Sequence, residues 1–355
     1  MEQKKAYNPT FAIMKGIAII SVVVGHCTMS KSVEAYVNQY HLAAFFFVAG
    51  YFLTDKYVAN PWLLVRKRIK SLYIPFIISC LCCVLLHNLL THIHVYNTLL
   101  SLQEILSGGA DVLFRLSSSE PMMGAMWFCP TLLFASIFAV YILWAGRKLK
   151  KNNSMTILLM LLMVGIGEIA LKILHLKSPY TIWQNMIISG ILFEGWLFRK
   201  YIERYMPTNK FILVVVGFSI AGAFVWFLKQ GWLFNLQAVH VKEVPATYLL
   251  VATFLASIMV YAIATATSGN KVGKIIATVG NHSFSIMLLH FLAFKVVSLV
   301  ICISNGYPLC RIADFPIIRY DNIACLFAYV ALGCALPIGI VKIKNLLLSK
   351  LWILI

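Results

Sequence analysis

Apolar runs long enough to cross a bilayer recur along this chain, and they limit what it can fold into. Ten are read, at 11–29, 37–54, 71–91, 124–145, 154–175, 180–198, 210–228, 246–266, 282–303 and 322–345. Several are short for a crossing of ~20 residues, so tilted, broken or partly re-entrant helices are expected among them. Charge is scarce to match: Asp, Glu, Lys and Arg make up 12% of the 355 residues, and the apolar set 61%. A soluble domain carries about 25% charged residues, and a soluble fold of this length has no means of hiding so much apolar surface. Backbone groups in hydrocarbon must be satisfied within the protein, which selects helices. The expectation is an all-α, polytopic membrane protein of about ten transmembrane helices, forming one integral-membrane domain over residues 1–355. No internal repeat is visible, and no cleavable signal peptide is expected at the start. The mixed segment 96–115, with Gly108-Gly109, reads as a helix lying on the outer surface.

The net charge of +18 would suggest nucleic acid in a soluble protein. Here the basic residues sit between the spans. With the N-terminus inside, 20 of the 30 Lys and Arg residues fall in inner segments and 8 in outer ones. That bias places both termini in the cytosol and accounts for the charge through the bilayer, with no nucleic-acid partner. Eight of the nine cysteines lie in or beside apolar runs, where a thiol acts as a small hydrophobe.

Ionisable groups inside spans are costly, so each is a candidate for function. Lys15 and His26 are 11 residues apart in the first span. Eleven residues are about three turns, so both side chains lie on one helix face, ~16 Å apart along the axis. Gly16 and Gly25 leave room for a helix or ligand to approach. The plainer reading has Lys15 reaching for the headgroups and His26 capping the outer end. His41 opens the second span on the same outer side, where the two histidines can serve as base and positioner or simply sit at the interface. Arg66, Lys67, Arg68 and Lys70 precede the third span. Such a run anchors to anionic lipid, or clamps phosphate through the Arg forks. Trp127 opens the fourth span, a usual belt position. Glu168, Glu194 and His290 read as structural groups needing partners. His87, His92 and His94 cluster without a carboxylate or Cys beside them in sequence, so no metal is expected.

Taken together, these residues resemble the acyltransferase 3 family, bacterial membrane enzymes that acylate envelope glycans. The family pattern of a basic residue, ten residues and His is met by Lys15 and His26, with Lys in place of the usual Arg. The second-span pattern is similar to Tyr40-His41-Leu42-Ala43-Ala44-Phe45-Phe46-Phe47-Val48-Ala49-Gly50-Tyr51-Phe52. The basic run ending in Pro is matched from Arg66 to Pro75, the Trp-Phe pair by Trp127-Phe128, and a late G-x-x-S…H pattern by Gly280, Ser283 and His290. The motifs run in order from residue 14 to residue 290. One departure is Ala12, where the family often has Asp to pair with the basic residue. No appended esterase-like domain is expected.

The resemblance implies an acyl-CoA donor, most simply acetyl-CoA, and a carbohydrate hydroxyl as acceptor, in the inner (plasma) membrane. Arg66, Arg68 and Lys15 would hold the CoA phosphates, with Trp127 lining the donor path or stacking on a sugar. His26 would act as general base or as acyl carrier, and His41 would orient it or the acceptor. A polytopic transporter or flippase of a glycan or lipid-linked sugar shares the bulk composition, but transporters often carry paired repeats. A non-catalytic scaffold gives no reason for the Lys15–His26 spacing. The acceptor sugar, the acyl identity and the oligomeric state stay open.

Overall fold

The structure is a computed structural model that describes residues 9–150, 153–232, 236, 244–320 and 322–353. Helix accounts for 82% of it, with no strand among the described residues. In chain order the α-helices are α1 (Thr10–Cys27), α2 (Lys31–Asn38), α3 (His41–Tyr51), α4 (Asp55–Ala59) and α5 (Pro61–Arg68). They continue with α6 (Ile74–His92), α7 (Leu102–Ala110), α8 (Phe128–Lys150), α9 (Asn153–Glu168) and α10 (Ile182–Leu197). The last are α11 (Lys210–Lys229), α12 (Ala246–Thr267), α13 (Lys271–Asn281), α14 (Ser283–Asn305) and α15 (Ile323–Ile353).

Eight helical segments among the described residues are long and apolar enough to cross a bilayer. They are Thr10–Cys27, Pro61–His92, Pro121–Leu149, Asn153–Ile173, Lys210–Lys229, Ala246–Thr267, Ser283–Asn305 and Ile323–Leu348. Of the two remaining expected spans, 37–54 is met by a short helix, α3 with 11 residues, whereas 180–198 is met by α10, whose 16 residues run on into a π-turn at Phe198–Ile202. Both are enclosed by protein, with eight residues of α3 and eleven of α10 buried. A helix surrounded by other helices fits its neighbours rather than the thickness of the lipid. The two pack backbone to backbone: a Cβ on Gly50 would run into the Leu192 carbonyl, and one on Gly195 into the Phe47 carbonyl. Lipid gives helices no hydrophobic reason to associate, so such close approach is what holds them.

The basic run departs from its expected place ahead of a span. It lies inside the continuous helix Pro61–His92, where a π-turn at Ile69–Tyr73 joins α5 to α6. Pro75 accounts for the wide turn, because its ring crowds the carbonyl four residues back and it offers no N–H. The helix expected within 96–115 is α7. A capping box opens it, in which Ser101 Oγ accepts from the Glu104 N–H and Glu104 returns a bond to the Ser101 N–H.

The described residues group into two compact units. The first draws on Met1–Ser21, Ala35–Arg68 and Thr131–Asn281, the second on Val22–Glu34, Ile69–Pro130 and His282–Ile355. In the first, both in-span carboxylates find partners. Glu168 accepts from the Ala246 N–H (2.7 Å) and Lys172 Nζ (3.0 Å), so it caps α12, while Lys172 also donates to the Val244 carbonyl. Glu194 accepts from Thr253 Oγ1 at 3.3 Å. In the second unit α14 lies along α15, where Ser298 Oγ and Tyr329 Oη share a hydrogen bond of 3.0 Å.

Candidate active site

His26 is one residue from the C-terminal end of α1 and is half-buried. Its ring stacks on that of His290 of α14, with centroids 5.3 Å apart and planes 25° apart, and meets Phe291 at 4.9 Å. His290 is fully buried. Its Nδ1 stands 2.9 Å from the Ile286 carbonyl and 3.0 Å from the Met287 carbonyl. Carbonyls only accept, so the proton is assigned to Nδ1 in the neutral ring, and the lone pair to Nε2. That Nε2 is buried without a hydrogen-bond partner. Native interiors seldom leave such an atom unpaired, which makes the surroundings of His26 and His290 a candidate site.

Phe291 organises the surroundings. It touches Phe315 at 4.9 Å, and a Cβ placed on Gly124 would stand 3.7 Å from its ring. The segment leading to Trp127 therefore runs past the same aromatic ring. Trp127 is half-buried, edge-on to Phe128 at 6.5 Å. Tyr320 Oη donates to the Cys27 carbonyl at 2.7 Å. This bond satisfies one of the free carbonyls at the end of α1 and ties the residue beside His26 to a distant part of the chain.

The remaining expected site residues belong to the first unit. Lys15 is half-buried on α1, three turns before His26 on the same helix. Beside it Gly16 is packed against α13: a Cβ there would run into the Ile276 carbonyl, and one on Gly280 into the Ala12 carbonyl. Of the late motif, then, Gly280 brings α13 onto α1, Ser283 starts α14, and His290 follows two turns later. Asn281 ends α13, and His282 occupies the N-cap of α14. His41 is buried at the start of α3 and donates Nδ1–H to the Val37 carbonyl at 2.6 Å. Arg66 is exposed over the Trp62 ring at 5.7 Å, and Lys67 donates to Tyr57 Oη at 3.2 Å. Arg68 is half-buried, and its Nε lacks a hydrogen-bond partner.

Two relationships escape the sequence. The first is the His26–His290 pair, whose members are 264 positions apart; only the family pattern hinted at His290. The second is a buried cluster around His87 in the second unit. Glu120 brings both carboxylate oxygens within 3.0 Å of His87 Nδ1, and the Thr98 carbonyl lies 3.0 Å from Nε2. The His87 ring stacks on Tyr96 at 4.3 Å, and Tyr96 Oη meets Cys83 Sγ at 3.3 Å. Burial, with Cys83 and Glu120 close by, pushes the Tyr96 hydroxyl well above its ordinary value. The carboxylate partner that the local sequence lacks comes from 33 residues further on.

The chain matches the family model described as an acyltransferase domain (acyltransferase 3) across residues 8–342. It belongs to that family, and with its apolar helices it is a multi-pass membrane acyltransferase. Comparisons with curated proteins and with solved structures return no match.

Proposed function

We propose that the protein moves an acyl group, most simply acetyl, from acyl-CoA to a sugar hydroxyl of an envelope glycan or exopolysaccharide at the inner membrane. The observation that carries this reading is the pairing of half-buried His26 with fully buried His290, whose tautomer is held by two carbonyls. His26 takes the proton of the attacking hydroxyl as its oxygen bonds to the thioester carbon. The C–S bond then breaks, and the CoA sulfur leaves with the proton returned by the imidazole. By the alternative route, His26 attacks the thioester carbon, the C–S bond breaks and CoA leaves as the thiol with the imidazole proton; the hydroxyl then attacks the acyl-imidazole, and its proton passes to the ring nitrogen as the acyl–N bond breaks. In either case the unpaired Nε2 of His290 offers an acceptor to a second hydroxyl of the incoming sugar.

Lys15, Arg66 and Arg68 are proposed to hold the anionic end of the donor, with Trp127 along its path. The bare Nε of Arg68 supports this reading, since a guanidinium N–H left without a partner is what a phosphate oxygen satisfies. Lys15 and His26 both belong to α1, 11 residues apart in the chain. His41 is proposed to orient the reacting groups.

Mass spectrometry of envelope glycans from cells with and without the gene tests the reading. Loss of an acyl mass from one glycan in the deletion strain supports it, and identical glycan masses in the two strains contradict it.

A further inference from the structure

The chain that follows α14 does not leave the helix. It turns back along it. Lys295, ten residues before the end of α14, donates Nζ–H bonds to the Ile312 carbonyl at 2.9 Å and the Asp314 carbonyl at 2.7 Å. Ten residues of helix are ~15 Å, so this part of the loop lies well below the helix end. Further ties repeat the pattern: Ile318 and Ile312 pack on Cys302, and Tyr329 Oη accepts from the Ile318 N–H at 3.3 Å. Irregular backbone at such depth persists only where protein satisfies its polar groups or where it lines a cavity. A buried lysine given over to two backbone carbonyls is costly, and fixing the loop's course is what its two bonds accomplish.

The course it fixes leads to His26. Phe315 lies 4.9 Å from Phe291, itself 4.9 Å from His26, and Tyr320 ends the segment on the Cys27 carbonyl. The other side of the segment is open. Phe315 is 45% exposed and Tyr307 41%, with Arg311 stacked on the Tyr307 ring at 4.6 Å. The Arg311–Asp314 pair between them is loose, at 3.5 Å, and partly exposed on both sides. The Tyr307 face is taken by Arg311, and Lys295 Nζ lies 5.5 Å from the Phe315 centroid, so the exposed part of Phe315 is what remains beside the loose Arg–carboxylate pair. An exposed ring edge next to such a pair suits a sugar: C–H groups of a pyranose lie against the ring, and its hydroxyls bond to the charged groups.

We propose that Tyr307–Tyr320 is the acceptor subsite, taking a pyranose of the glycan on Phe315 with Arg311 and Asp314 on its hydroxyls, and that Lys295 is the positioning residue holding this subsite beside His26. The inference rests on the acyl-transfer reading above. Its test measures transfer of labelled acetyl from acetyl-CoA to alkali-deacylated envelope glycan by membranes holding equal amounts of protein. Phe315→Ala raises KM for the glycan about tenfold, the size expected for one lost aromatic contact, and leaves KM for acetyl-CoA unchanged. Phe315→Tyr restores the glycan KM, because the ring is kept. Lys295→Met shifts the glycan KM in the same direction without moving the acetyl-CoA KM, a split that general unfolding does not produce. Unchanged glycan KM in Phe315→Ala, or an equal rise in both KM values, overturns the subsite alone. No label transfer by the unsubstituted protein removes the acyl-transfer reading, and the subsite with it.

Discussion

The ring of His26 lies stacked on the ring of His290, with centroids 5.3 Å apart. The stack joins a half-open residue at the end of one helix to a closed one in the body of another. His290 spends its only proton on the carbonyls of its own helix, which leaves Nε2 bare and turns the ring into a fixed surface. A fixed neighbour restricts the rotamers of His26, which under the proposed mechanism would position the reacting atoms.

Two substitutions at His290 separate stacking from polarity. His290→Phe keeps a ring against His26 and removes the bare nitrogen, so the protein inserts normally while acyl transfer falls at least about tenfold. His290→Ala also removes the ring and leaves a cavity, at a cost of about 2–4 kcal/mol in stability. Transfer rates, read beside thermal unfolding in detergent, check both. Full activity in His290→Phe would confine His290 to packing.

The donor end is tested through Arg66 and Arg68. The double variant Arg66→Ala with Arg68→Ala raises KM for acetyl-CoA about tenfold or more, because hydrogen bonds to charged groups contribute about 1.5–3 kcal/mol each. It also loses the thermal stabilisation that acetyl-CoA gives the unsubstituted protein. Equal stabilisation of the two proteins would return the run to lipid anchoring.

The His87–Glu120 pair is buried on both sides, with side-chain exposures of 7% and 3%. Glu120→Ala strips the carboxylate from a ring whose other nitrogen is already bonded to Thr98. Breaking a buried pair by removing one partner costs about 3–5 kcal/mol. Lowered thermal stability and faster proteolysis within residues 91–123 are the expected readouts. A double-mutant cycle with His87→Ala isolates the coupling between the two residues.

Gly280 sets how closely α13 approaches α1. Any Cβ there must displace the Ala12 carbonyl, which is backbone and has little freedom to move. Gly280→Val therefore destabilises the protein by more than about 2 kcal/mol and lowers the amount inserted in membranes. Gly222, whose Cβ would meet nothing, is the control: Gly222→Ala leaves the inserted amount unchanged.

The helices were legible in the sequence because the bilayer writes its thickness into apolar run length. That Lys15 and His26 share the helix α1 was legible from the apolar run that holds them both. Span length was a poor guide to α3, since an enclosed helix is fitted to its neighbours rather than to lipid. The ring contact of His26 with His290 was hidden for a different reason. His290 sits in an ordinary apolar stretch, and nothing local distinguishes it from a packed core histidine. Glu120 reaches His87 across a loop of no fixed period. The course of the segment 304–321 was hidden, because its backbone partner is one lysine inside an apolar helix. Such pairings are set by tertiary packing, which leaves no mark in local spacing.

The most direct test of the account is acyl transfer by the His26→Ala protein. Membranes carrying equal amounts of inserted protein are supplied with labelled acetyl-CoA and deacylated envelope glycan, and label on the glycan is counted. The account predicts that His26→Ala folds, inserts and still gains stability from acetyl-CoA, yet transfers no label above background. Transfer by His26→Ala at the rate of the unsubstituted protein would contradict it.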